Sequence, residues 1–196
     1  MTQLIMIRHG QTDANKQFLI QGRTDNPLNI TGIKQARQTA MYLKTHGYEF
    51  DNIYSSPLKR SVLTAQTIVD VINPNLKIII HQCLRERDFG DFEGRVIDQT
   101  YYDMVNNNII PNMEKNGALE ERVSLTLKEI AIKNPHKRIL IATHSHVIKA
   151  MFVNLVDGFQ YSSLLPNCAI NILEYDSDSF RVIQHNLDPL KIATHN

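Results

Sequence analysis

The chain has 196 residues, 42% hydrophobic and 21% charged, which excludes a disordered or fibrous chain and sets a single domain over 1–196 as the expectation. Lys and Arg number 21 against 20 Asp and Glu, a net charge of +1, so no global field draws the chain to nucleic acid or to an anionic membrane. Two isolated cysteines, Cys83 and Cys168, exclude a disulfide framework, and with no basic leader and apolar runs far below the roughly 18 residues of a membrane span the expected location is cytoplasmic.

Leu4 to Ile7 is a continuous apolar run, suited to a strand buried on both faces, and it stops abruptly at Arg8-His9-Gly10. Thr31 opens a helical pattern through Ile33, Ala36, Ala40 and Leu43, with Gly47 as the stop. Ile53-Tyr54 reads as a short strand. Ser56-Pro57 reads as an N-cap followed by proline at the first helical position, ahead of Leu58, Val62, Ala65, Val69 and Ile72. Lys77 to His81 is the third strand. Residues 84–118 are irregular, with a short helix expected near 97–105. Leu119, Val123, Leu127 and Ile130 mark a long amphipathic helix that ends at Asn134-Pro135. Arg138 to Thr143 is another buried strand, and His144-Ser145 leads into a helix with Val147, Ala150, Met151 and Leu155. Ala169 to Tyr175 and Phe180 to His185 are two strands around the turn 176–179. Alternating strands and helices predict a three-layer α/β fold with a mostly parallel central sheet, helices on both faces and an antiparallel edge.

In such sheets ligands bind beyond the carboxyl ends of the strands. Three of those ends carry phosphate-friendly residues: Arg8-His9 after the first, Ser55-Ser56 to Arg60 after the second, and His144-Ser145 after the strand that ends at Thr143. If they converge, two guanidinium groups, two imidazoles and a helix N-terminus surround one small space suited to a phosphate dianion. Taken singly, each is more readily read as a structural or solvated strand end. The candidate carboxyl lies in the run Leu84 to Gly94, whose plain alternative is a charged surface loop.

These residues carry a resemblance. Arg8-His9-Gly10-Gln11-Thr12, Asn15, Gln21-Gly22, Pro27-Leu28, Thr31-Gly32, Gln35-Ala36, Ser55-Ser56-Pro57 to Arg60, Ala65-Gln66-Thr67, Leu84-Arg85-Glu86 to Phe89-Gly90, Phe92-Glu93-Gly94 and His144 stand in the order and spacing of the histidine phosphatase superfamily, the phosphoglycerate mutase-like proteins. The resemblance spans about residues 4–175. It implies a phosphoglycerate mutase-like fold and roles position by position. His9 is the nucleophile that becomes phosphohistidine. Arg8, Arg60 and His144 hold the phosphoryl oxygens, with Asn15 adding a hydrogen bond. Glu86 is the general acid and then the base that activates water. Gln21 and Gly22 contribute to the phosphate pocket or its rim, and the Ser145 backbone N–H supplies an anion contact. No cofactor or metal is required.

The chain departs from the family in two places. Ser145-His146 replaces the usual Gly-Gly or Gly-Asn pair, which raises a His-x-His metal pair as an alternative to the plainer reading of His146 at the rim of the site. The bisphosphoglycerate-dependent mutases carry a tyrosine, a lysine and an arginine pair that are missing here: Phe89 and Ile97 stand at the first two positions, and residues 98–118 contain no arginine. A mutase would be left with substrate anions unpaired, so hydrolysis of a small phosphomonoester is the expected reaction. The competing readings are a phosphoglycerate mutase and a non-catalytic phosphoester-binding module. Tyr101, Tyr102, Met104, Val105, Ile109, Ile110 and Met113 are expected to divide between core and a cover over the site, which suggests a substrate with an apolar or neutral body. The expected assembly is a monomer or homodimer.

Overall fold

The computed structural model describes residues 1–192; the last four residues of the expected 1–196 unit lie outside the described residues. Six strands, β1 (Thr2–Arg8), β2 (Asn52–Ser55), β3 (Ile78–Ile80), β4 (Arg138–Thr143), β5 (Ile170–Asp176) and β6 (Ser179–Leu187), form one sheet in the order β3-β2-β4-β1-β5-β6. The first four strands run parallel, and β5 and β6 add an antiparallel edge. The connections supply α1 (Asp13–Lys16), α2 (Ile30–Thr45), α3 (Lys59–Ile72), α4 (Gln99–Asn106), α5 (Asn116–Lys133) and α6 (Ser145–Phe152), with α7 (Pro189–Ile192) after β6. This is the expected three-layer α/β architecture.

The central strands are apolar throughout because they are covered twice. Side chains alternate across a strand. Leu4 and Met6 of β1 and Ile139 and Ile141 of β4 pack into one core with α4, α5 and α6. Ile5 and Ile7, with Leu140 and Ala142, enter the opposite core with Ala40 and Leu43 of α2 and Ala65, Ile68 and Val69 of α3. A one-residue slip of either strand would exchange the two sets.

Register then fixes the site. Arg8 pairs with Thr143 and Ser55 with Ala142, so β1, β4 and β2 end level with one another. One more ladder bond follows each end: His9 N–H donates to the Thr143 carbonyl at 2.9 Å and Ser56 N–H to that of Ala142 at 3.1 Å. His9, Ser56 and His144 are therefore neighbours by construction. Two glycines allow the next turn to close. A Cβ on Gly10 would fall 2.4 Å from the Gly32 carbonyl oxygen, and one on Gly32 would fall 2.1 Å from that of Gln11. Only hydrogen at both positions lets the start of α2 press on the turn after β1.

Several boundaries differ from expectation. Asn29, not Thr31, caps α2, its side-chain oxygen accepting from Gly32 N–H at 2.9 Å. Leu58 occupies the N-cap of α3, and Ser56-Pro57 precede the helix. The Ser56 hydroxyl is engaged by Leu58 N–H at 3.3 Å and by His144 Nε2 at 2.7 Å, so it serves the strand end rather than the cap. The third strand is only Ile78–Ile80, half-exposed at the sheet edge. Helix α6 stops at Phe152, which leaves Leu155 outside it and exposed. The short helix expected near 97–105 is α4, capped by Asp98 through Tyr101 N–H at 2.9 Å.

Candidate active site

Beyond the carboxyl ends of β1 and β4 lies a cavity of about 200 Å³. Arg8, His9, Asn15, Gln21, Gly22, Arg60, Glu86 and Ser145 all line it. His144 is the exception among the expected residues. It is fully buried beside the cavity, its ring edge-on to that of His9 with centroids 5.2 Å apart.

The hydrogen bonds of His9 define its tautomer. Nδ1 lies 2.7 Å from the Gly10 carbonyl oxygen, which can only accept, so Nδ1 carries the proton. Nε2 is then the lone-pair nitrogen, and it accepts from Arg60 Nε at 3.2 Å. Burial first, then the charges of Arg60 and Arg8, holds the His9 pKa well below the ordinary imidazole value, so the ring is neutral at physiological pH.

Arg60 is itself completely buried. Besides His9 it donates from Nη1 to the Thr24 carbonyl at 2.7 Å and from Nη2 to that of Gly22 at 2.8 Å. Burial pulls its pKa down to about 10, which still leaves it cationic at neutral pH. The turn that presents these carbonyls is held by Glu93, whose carboxylate accepts from Arg23 N–H at 2.6 Å, Thr24 N–H at 3.0 Å and the Thr24 hydroxyl at 2.6 Å. Gly22 has φ +28°, and a Cβ there would fall 2.0 Å from Glu93 Oε1. Glycine at this point lets Glu93 approach the turn.

Arg8 donates from Nη1 to the Leu165 carbonyl at 2.5 Å, while its buried Nε has no partner among the described residues. In His144 the buried Nδ1 likewise lacks a partner. The Ser56 hydroxyl, which accepts from Leu58 N–H, lies 2.7 Å from His144 Nε2 and ties the ring to the end of β2. Burial, and next the charge of Arg60, keeps this ring neutral too. Asn15 forms a capping box with Thr12 and receives Asn167 Nδ2 at 3.3 Å. Gln21 Oε1 accepts from the Thr12 hydroxyl at 2.8 Å. Glu86 is nearly buried, and its carboxylate accepts from Arg87 N–H at 2.8 Å and from His146 N–H at 3.2 Å.

A model of the histidine phosphatase superfamily (branch 1) matches residues 4–188. The chain belongs to the histidine phosphatase superfamily. It is 35% identical over 193 residues to the uncharacterized phosphatase PhoE of Bacillus subtilis (strain 168), an alignment covering 96% of each chain. It is also similar to a phosphoserine phosphatase mutant from Entamoeba histolytica solved in complex with phosphoserine, with TM-score 0.81 and 26% identity over 95% of this chain and 97% of the other. The phosphoglycerate mutase of Bacillus anthracis str. Sterne shares the fold, with TM-score 0.85 and 24% identity over 98% of this chain and 95% of that one.

Within this superfamily frame, some of the cavity differs from the sequence reading. His146 is not at the rim. It is 3% exposed, stacked on Tyr161 with centroids 5.1 Å apart, edge-on to Phe89 at 4.8 Å, and joined through Nε2 to the Tyr101 hydroxyl at 3.2 Å. Among the described residues, no group of three His, Cys, Asp or Glu side chains is arranged to hold a metal, so the His-x-His pair has no further ligands. Of the residues expected to divide between core and cover, only Tyr101 and Tyr102 line the cavity, joined by Ile97 and Phe89. Val105, Ile110 and Met113 belong to the core, and Ile109 is exposed. Asn167 and Lys149 are among the contributors that the sequence does not single out. Asn167 Nδ2 donates to the His9 carbonyl at 2.9 Å, and Lys149 lines the cavity from α6. The sequence held a signal for Lys149, since it lies one helical turn after Ser145 and thus on the same face.

Proposed function

We propose that the protein is a phosphomonoester hydrolase that works through a phosphohistidine at His9 and needs no metal. The single observation that carries this reading is the state of His9: a neutral ring, its proton on Nδ1 by virtue of Gly10, and a lone pair on Nε2 in a cavity that two arginines line. A binding module has no use for an unprotonated nitrogen so placed.

The chemistry follows from the surrounding donors. The phosphate of the ester enters between Arg8 and Arg60, displacing the Arg60 Nε contact from His9 Nε2. Nε2 forms a bond to phosphorus as the ester P–O bond breaks. The departing oxygen takes its proton from the Glu86 carboxylic acid. The Glu86 carboxylate then takes a proton from water as the water oxygen attacks phosphorus, and the P–N bond breaks to return His9. Arg8, Arg60, His144, Asn15 and the Ser145 N–H stabilise the charge on the equatorial oxygens, with Gln21 and Gly22 shaping the rim of the pocket. Phosphoryl transfer asks for positioning and charge stabilisation, which these groups supply directly. Gly10, Thr143 and Asn167 hold His9 in place through the bonds already described. The cavity of about 200 Å³ suits a small phosphomonoester.

The phosphoserine complex of the Entamoeba relative and the phosphatase name of the Bacillus subtilis relative favour hydrolysis over isomerisation. So do Phe89 and Ile97, which present apolar surface to the cavity at the positions where the mutases carry tyrosine and lysine. The test is turnover of 4-nitrophenyl phosphate after dialysis against EDTA, beside isomerisation of 3-phosphoglycerate with and without 2,3-bisphosphoglycerate. Release of phosphate undiminished by the chelator is expected. No turnover of any ester, or isomerisation that depends on the bisphosphate primer, would replace this reading with the binding module or the mutase.

A further inference from the structure

Lys149 is 7% exposed, yet it lines the cavity. Its Nζ donates to the Tyr161 carbonyl at 2.7 Å, which accounts for one of three ammonium protons. Among the described residues no carboxylate forms an ion pair with it. Glu86 is the nearby opposite charge, but that carboxylate is bound to the N–H groups of Arg87 and His146. Facing the amine are Arg8 from β1, Glu86 from the segment after β3, His146 from its own helix and Tyr161 from the loop after α6. A buried ammonium with a single neutral acceptor is costly in an empty site, and burial pulls the Lys149 pKa down to about 7.

Charge points the same way. Of the side chains lining the cavity, Arg8, Arg60 and Lys149 are cationic and Glu86 is the acid. A phosphate dianion between Arg8 and Arg60 matches those two cations and leaves the amine of Lys149 without an anionic partner. Ser163 also lines the cavity. Its hydroxyl accepts from Gln160 N–H at 2.9 Å, which leaves its proton free to donate.

We propose that Lys149, assisted by the Ser163 hydroxyl, forms a subsite for a carboxylate on the leaving group and is the residue that selects phosphomonoesters of small carboxylic acids. This rests on the phosphomonoesterase reading and names its substrate class. It also revises the expectation of an apolar or neutral body. Phe89, Ile97, Tyr101 and Tyr102 cover the substrate's carbon frame while Lys149 reads its charge.

The experiment compares two compounds of similar size that differ in the carboxylate, 3-phosphoglycerate and glycerol 3-phosphate, as competitive inhibitors of 4-nitrophenyl phosphate hydrolysis. A charge-assisted hydrogen bond predicts about 10- to 100-fold tighter inhibition by 3-phosphoglycerate in the wild type. Lys149→Met should bring the two inhibition constants together, and Lys149→Arg should restore part of the gap. In the wild type the gap should narrow as pH rises from 6 to 9, because the amine loses its proton and with it the attraction for the carboxylate. This readout requires no variant and stands if Lys149→Met fails to fold. Equal inhibition by both compounds in the wild type, or equal loss for both in Lys149→Met, would overturn the assignment. A wild type that hydrolyses no ester would defeat the hydrolase reading instead, and calorimetric binding of the same pair would still test Lys149.

Discussion

Nε2 of His9 accepts a hydrogen bond from Nε of Arg60 at 3.2 Å, and both side chains are buried. The contact does two things. It denies Nε2 a proton, and it sets a cation beside the point where phosphoryl charge arrives. Because Arg60 is also bound to the Gly22 and Thr24 carbonyls, its place is decided by the 22–24 turn and by the Glu93 carboxylate that holds it.

Arg60→Lys keeps the charge and loses the planar fork. A lysine cannot meet His9 and two carbonyls at once. We expect kcat to fall by about 10²–10³-fold, the usual loss for one transition-state donor. Arg60→Ala should in addition lower stability by about 1–3 kcal/mol for each buried carbonyl left unsatisfied. Urea unfolding beside steady-state kinetics separates the two effects. A lysine variant with wild-type kcat would remove Arg60 from the phosphoryl site.

Glu86 and Glu93 should differ in their dependence on the leaving group. Glu86→Gln removes the acid, so the rate on alkyl phosphates should drop by about 10²–10⁴-fold, with a much smaller loss on 4-nitrophenyl phosphate, whose leaving group needs little protonation. Glu93→Gln disturbs Arg60 through the turn and should lower both rates by a similar factor. Parallel losses in Glu86→Gln would refute its role as the acid. Glu93 could not then take its place, since its oxygens are committed to Arg23 and Thr24.

Acid should destabilise the fold early. The pKa values of His9, His144 and His146 are held well below the ordinary imidazole value, in each case by burial first. The unfolded chain therefore takes up protons as pH falls below about 6.5 while the native state does not. Stability is present above that pH and lost below it, by up to about 1.4 kcal/mol per pH unit for each ring. Urea unfolding between pH 7.5 and 5.5 measures the slope. His146→Leu should reduce it by about one proton, and an unchanged slope would show that His146 is not buried neutral.

What the sequence revealed and what it hid have physical reasons. The alternation in β1 and β4 and the residues that follow them are local patterns, so the sheet, its doubly covered strands and the convergence of Arg8, His9, Ser56 and His144 were all legible. The end of β2 was legible but misassigned, because a Ser-Pro pair looks the same whether its hydroxyl caps a helix or reaches His144 across the sheet. His146 was misplaced, and Lys149 passed over, for a related reason. Polar residues on a short helix are expected to face solvent, yet α6 is buried around nearly its whole circumference. Nothing in its own composition shows that Tyr161 and Tyr101 cover it. Asn167 lies far along the chain from His9, and no local pattern announces its hydrogen bond to the His9 carbonyl.

The central claim is that a phosphoryl group passes through His9. Its most direct test is to quench wild-type protein during turnover of a labelled phosphomonoester, assay the label for acid lability and base stability, and map it by mass spectrometry, with His9→Ala treated in parallel. The account predicts a base-stable, acid-labile phosphoryl group on His9 in the wild type, none in the variant, and loss of hydrolysis with the fold retained. Near-wild-type turnover by His9→Ala, or a label found on another residue, would contradict it.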